Sequence, residues 1–75
     1  MPEVNHKAVG LRCWIGETSH PVARQYRQQP GTITAVWRFG SVVMASVRLD
    51  NGETIQGLFL YELQNAEGES LRYKR

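Results

Sequence analysis

The stretch from Gly31 to Leu63 holds two apolar, β-branched runs joined by Asp50-Asn51-Gly52 and closed by Leu60-Tyr61-Glu62-Leu63, and it constrains the fold more than any other part of the chain. Successive side chains of a strand point to opposite faces, so a one-residue slip in pairing moves a whole apolar set from core to solvent. With Asn51-Gly52 as a two-residue loop, Leu49 would oppose Thr54 and Val47 would oppose Gln56, setting core positions against polar ones. With Asp50-Asn51-Gly52 as a three-residue loop and Gly52 left-handed, Val47 faces Ile55, Ala45 faces Gly57 and Val43 faces Phe59. Only the second register leaves one clean apolar face. On its opposite face Val42 meets Leu60 and Met44 meets Leu58, while Ser46 with Gln56 and Arg48 with Thr54 are polar. One end of the outer face is therefore predicted to be apolar, and an exposed apolar patch marks an interface. Val42, Met44, Leu58 and Leu60 are accordingly candidates for the contact of a homo-oligomer.

The remaining segments extend this meander at both ends. Val9, Leu11, Cys13 and Ile15 alternate with Gly10, Arg12 and Trp14, which predicts a first strand with an apolar odd face and Trp14 on the other. Residues 16–31 form a long connection, a length that usually carries function or structure of its own. Ser19-His20-Pro21 reads as a helix start, Val22 and Tyr26 fall four apart, and Pro30-Gly31 is a stop signal, so a helical turn or two is expected. Strands follow over Thr32–Phe39, Val42–Leu49 and Glu53–Phe59, linked by Gly40-Ser41 and by the Asp50–Gly52 loop. Leu60–Leu63 suits one 3₁₀ turn, Gln64–Glu69 a linker and Ser70–Tyr73 a last strand. Residues 1–8 show no periodicity and read as a flexible tail preceding one domain over 9–75.

This order resembles the SH3-like barrel, in particular the Tudor and KOW-type small barrels, over roughly Val9 to Leu63. The residues that carry the resemblance are Val9-Gly10-Leu11-Arg12-Cys13-Trp14-Ile15, Pro30-Gly31-Thr32-Ile33-Thr34-Ala35-Val36, Val47-Arg48-Leu49-Asp50-Asn51-Gly52-Glu53 and Leu60-Tyr61-Glu62-Leu63. It implies an all-β, five-stranded SH3-like barrel with a long, partly helical loop after strand 1 and a 3₁₀ turn before the last strand. In such barrels the loop after the first strand often shapes the binding surface, and members bind nucleic acid, peptides or partner subunits. A narrower resemblance, to the plasmid-borne type of dihydrofolate reductase, touches Ile55-Gln56-Gly57-Leu58, where that family carries Val-Gln-Ile-Tyr. Gly57 and Leu58 replace the two residues that line its pore, so what this likeness implies is assembly of small barrels, with an oligomeric oxidoreductase as a remote alternative.

Composition limits the remaining classes. The chain has 75 residues, 41% hydrophobic and 21% charged, with a formal net charge of +2. A chain this short buries about 60–65% of the surface its unfolded form exposes, so its stability is modest and assembly would add to it. No apolar run approaches the roughly 18 residues needed to cross a bilayer, and Met1–Lys7 has no apolar core of a secretion signal, so a cytoplasmic location and no membrane partner are expected. Basic residues predominate up to Arg48 and acidic ones after it, a polarity suited to an acidic partner if it persists in space.

Single strands are gripped by bases stacking on aromatic rings while arginines meet phosphates. Arg12, Trp14, Arg24, Tyr26, Arg27, Trp37, Arg38 and Phe39 have those residue types, which makes them candidate contacts for nucleic acid or an acidic protein surface. Catalytic material is sparse: Cys13, His6 and His20 are too few for a structural zinc site, and Asp50 and Glu53 flank a turn. A noncatalytic binding module without a cofactor is the reading, with a self-associating protein as the alternative. Gly52→Val is expected to unfold at markedly lower urea than the parent, since a β-branched residue resists a positive φ. An unchanged midpoint would overturn the three-residue register.

Overall fold

A computed structural model describes residues 3, 4 and 6–73. The elements in chain order are β1 (Glu3–Val4), a 3₁₀ turn (His6–Ala8), β2 (Arg12–Ile15), a 3₁₀ turn (Ala23–Tyr26), β3 (Pro30–Phe39) and β4 (Val42–Leu49). They continue with β5 (Thr54–Phe59), a 3₁₀ turn (Leu60–Glu62), β6 (Leu63–Gln64) and β7 (Arg72–Tyr73). The architecture is all-β. Five strands form an antiparallel sheet in the order β5, β4, β3, β2, β6, while β1 pairs in parallel with β7. The larger sheet is open, with β5 and β6 as its edges. No helix among the described residues is long and apolar enough to cross a membrane.

The predicted hairpin loop is present. Leu49 N–H donates to the Glu53 carbonyl at 2.7 Å and Gly52 N–H to the Leu49 carbonyl at 2.9 Å, leaving Asp50-Asn51-Gly52 as the loop with Gly52 at φ +94°. The Asn51 side chain accepts Glu53 N–H at 2.8 Å, a local turn bond that asparagine is suited to make. Beyond the loop Arg48 pairs with Thr54 and Val47 with Ile55, as the alternation required.

The register then departs from strict alternation. Ala45 pairs with Leu58, so Gln56 and Gly57 on β5 both stand opposite Ser46. The other flank does the same, because Ile33 pairs with Val47 and Val36 with Ala45, setting Thr34 and Ala35 against that serine. Each insertion is a β-bulge, which bends its strand and inverts the faces of every residue that follows. Gly57 supplies the positive φ of +78° that the β5 bulge uses. Phe59 therefore does not oppose Val43, and Leu58 and Leu60 turn inward instead of outward. Both leucines are buried in the core with Cys13, Ile15, Ile33, Ala45, Val47, Leu49, Ile55, Leu63 and Leu71.

Four further expectations are revised. The first strand begins at Arg12 rather than Val9, because the His6–Ala8 turn and Gly10, at φ +95°, carry the preceding residues, and Val9 and Leu11 are exposed. The helical turn or two expected in the long loop is one four-residue 3₁₀ turn, Ala23–Tyr26, and not α-helix. The last strand of the main sheet is β6, which the 3₁₀ turn at Leu60–Glu62 directs back along β2, whereas Arg72–Tyr73 pairs with β1. Within the segment read as a tail, Glu3–Val4 forms that parallel pair, while Met1, Pro2 and Asn5 lie outside the described residues.

A Cβ built on Gly57 would meet no atom within 4 Å, so a substitution there is opposed by backbone conformation alone. Gly57→Val should lower stability by roughly 1–2 kcal/mol in urea denaturation, with Gly57→Asn losing less because asparagine visits the left-handed region more readily. Equal stability of the valine variant would show that the bulge does not need this φ.

Candidate functional site

Beyond Ser46 the inverted register collects apolar side chains on the outer face. Trp37 pairs with Met44, Met44 with Phe59, and Phe39 with Val42, so these five side chains point the same way across three adjacent strands. Phe39 is 69% exposed, Val42 40% and Phe59 37%, with Trp37 and Met44 half-buried beneath them. Without the two bulges, Trp37, Phe39 and Phe59 would face the core. The 3₁₀ turn adds Tyr61, 63% exposed, whose ring stacks on Phe59 with centroids 5.2 Å apart and planes 14° from parallel. That turn is held by buried Glu62, whose carboxylate accepts Phe59 N–H at 2.9 Å, and by Leu63 N–H, which donates to the Leu60 carbonyl.

The predicted oligomer face is thus relocated. Val42 and Met44 lie on it, Leu58 and Leu60 do not, and Phe59 and Tyr61 take their places. Gly57 inside a strand pattern was the readable signal, since an isolated glycine there marks a bulge. Nothing comparable marks the bulge at Thr34-Ala35.

The eight aromatic and basic candidates do not form one surface. Trp14 lies on β2 opposite Pro30 and Gln64, and Pro30 stands roughly 20 Å along β3 from Trp37 at about 3.3 Å per residue. Arg12 makes a bidentate bond to Asp50, at 2.6 and 2.8 Å, which raises the Arg12 pKa and lowers that of Asp50. This pair joins the basic and acidic halves of the chain at one place, so the linear polarity is locally neutralised there. Arg27 bonds Glu17 at 3.0 Å, Tyr26 packs against the core and Arg24 sits on the exposed 3₁₀ turn. Trp37 and Phe39 belong to the outer face. Arg38, pairing with Val43, belongs to the inner one.

Arg38 borders a cleft of about 560 Å³ between the Gly40-Ser41 turn and β7. Val43, Leu60 and Leu71 form its apolar wall, and Ser41, Tyr61, Ser70, Arg72 and Tyr73 complete the lining. The Arg38 Nε donates to the Gly40 carbonyl at 2.7 Å, and the guanidinium lies 5.9 Å from the centroid of the Tyr73 ring. Tyr61 is shared between cleft and outer face.

Cys13 and His20 are committed elsewhere. The imidazole Nδ1 lies 3.2 and 3.3 Å from Val22 and Ala23 N–H, and Nε2 lies 2.8 Å from the Gln56 carbonyl. Accepting from two backbone donors places the proton on Nε2, so His20 fastens the long loop to the β5 bulge. Cys13 is fully buried, and burial pushes its thiol up to about 11, against a smaller lowering by the Arg12 charge. Comparison with models of known protein families, with curated proteins and with solved structures found no match.

The thiol links stability to pH. From about 9, where a free thiol ionises, to about 11 the unfolded chain loses a proton that the folded chain keeps, so stability falls as pH rises across that window. The decline should approach 1.4 kcal/mol per pH unit at most, by the conversion of about 1.4 kcal/mol per unit. In urea titrations at several pH values, Cys13→Ala should be less stable than the parent at neutral pH and should lack this component of the decline, so the difference between the two narrows as pH rises. Parallel pH profiles for the two proteins would contradict it.

Proposed function

We propose that this chain is a noncatalytic binding module of the SH3-like small-barrel kind, which takes a macromolecular partner on the outer face of β3, β4 and β5. One observation carries the reading: Trp37, Phe39, Val42, Met44, Phe59 and Tyr61 lie together, none of them charged, with Phe39 and Tyr61 more than half exposed. Folding gains nothing from rings held in water, and exposed apolar patches on small domains mark interaction surfaces. The strand order, the long loop after β2, the three-stranded meander and the 3₁₀ turn before β6 support the small-barrel likeness. Nucleic acid and an acidic protein surface are the partner classes that the adjacent arginines, Arg38 and Arg72, favour.

A second reading is self-association through the same face. It is favoured by β5 being a free edge of the open sheet, which places Phe59 where a second copy could pair and pack at once.

Light scattering at low and high salt separates the two. The binding module is expected to have the mass of one 8.5 kDa chain under both conditions, for the parent and for Phe39→Glu. A salt-resistant oligomer that Phe39→Glu dissociates would transfer the function to self-association, because a charge in an apolar contact is left desolvated. An oligomer that Phe39→Glu leaves intact would overturn both readings.

A further inference from the structure

The cleft beside the outer face has a chemistry of its own. Its volume, about 560 Å³, falls in the range of small-molecule sites, roughly 300–1,000 Å³. Two arginines border it, and none of its lining residues is acidic. Elsewhere in the fold Arg12 is matched by Asp50 and Arg27 by Glu17, while Arg24 and Arg48 have no ion pair among the described residues; this cleft differs in gathering two arginines in one lining that holds no acidic residue. Arg38 is also held in place: its Nε bond to Gly40 and its position over Tyr73 leave both terminal nitrogens without a protein acceptor among the described residues. A guanidinium fixed with its fork free matches the geometry of a phosphate or carboxylate.

The rings narrow the choice. Tyr61 stands at the rim with Phe59 stacked behind it, a platform for a planar group, and the Ser41 and Ser70 hydroxyls add neutral hydrogen-bonding partners. An anion lacking a ring would use the arginines and leave the platform idle. We propose that this cleft binds a nucleoside phosphate, with the phosphate on Arg38 and Arg72 and the base against Tyr61. The same chemistry has two sources, a free nucleotide and a residue of a single strand. The inference stands on the cleft and needs no partner on Trp37 or Phe39.

Calorimetry with AMP, adenosine and inorganic phosphate, together with anisotropy of a labelled oligothymidylate of about ten nucleotides, tests it on the whole chain. AMP is expected to bind, with adenosine and inorganic phosphate each at least about tenfold weaker. Arg72→Ala and Tyr61→Ala should each weaken AMP by about tenfold or more, as for loss of a charged hydrogen bond or of base stacking. Both side chains are exposed, so the variants should melt like the parent, and Arg48→Ala, outside the cleft, should bind unchanged. An oligonucleotide that binds more tightly than AMP, loses affinity in the same two variants and weakens with salt would identify the strand as the source. AMP binding without oligonucleotide binding would identify the free nucleotide. Failure of both ligands, phosphate binding as tight as AMP, oligoglutamate binding as tight as the oligonucleotide, or affinities that Arg72→Ala and Tyr61→Ala leave unchanged would each overturn the proposal.

Discussion

Two bulges opposite one serine govern the rest of this molecule. At the level of Ser46, β3 and β5 each set two residues against one of β4, and both partners therefore exchange faces at the same height. Below that level Ile33 and Ile55 enter the core on either side of Val47. Above it Val36 and Leu58 do so on either side of Ala45, while Trp37 and Phe59 emerge on either side of Met44. A single bulge would evert one aromatic strand and leave its neighbour inside. The pair everts both together, which keeps the core aliphatic and produces a continuous aromatic face.

The same region is braced from two directions. The Gln56 carbonyl, at the β5 bulge, is bonded by His20, so the 16–29 segment is tied to the strand whose register changes. Glu62 reaches back to Phe59 N–H and holds the turn that places Tyr61 on Phe59 and beside the cleft. A buried carboxylate is costly unless its oxygens find donors, and here the bond that satisfies it also sets the ring geometry. Charge follows a parallel division. Arg12 and Arg27 are neutralised at their own ends of the fold, Arg24 and Arg48 stand outside the cleft, and Arg38 and Arg72 come together where aromatic rings and an apolar wall converge.

Much of the local architecture was legible from residue order. The Asp50-Asn51-Gly52 loop, the limits of β4, the 3₁₀ turn after Phe59 and the pairing of Val47 with Ile55 all follow from turn chemistry and alternation within a few residues. Alternation also carries its own error: it assumes that every strand keeps its phase. Once Gly57 takes a positive φ, Leu58 and Leu60 move to the core and Phe59 to the surface, so half of the predicted contact face is replaced while Val42 and Met44 stay. The eight aromatic and basic candidates fared similarly, because residue type selects chemistry but not neighbours. Trp14 and Trp37 share a kind and stand at opposite ends of β3.

Composition and pattern alone established an all-β chain built on a meander, since β-branched runs broken by glycine turns have few other ways to bury their apolar sides. They also located the tight hairpin, whose geometry depends on three consecutive residues. Which aromatic rings reach solvent, which arginines keep their charge unmatched and where a cleft opens were decided by tertiary structure. Those properties depend on pairing between residues tens of positions apart, as with Arg12 and Asp50 or His20 and Gln56, and on two one-residue insertions that change the direction of every side chain after them.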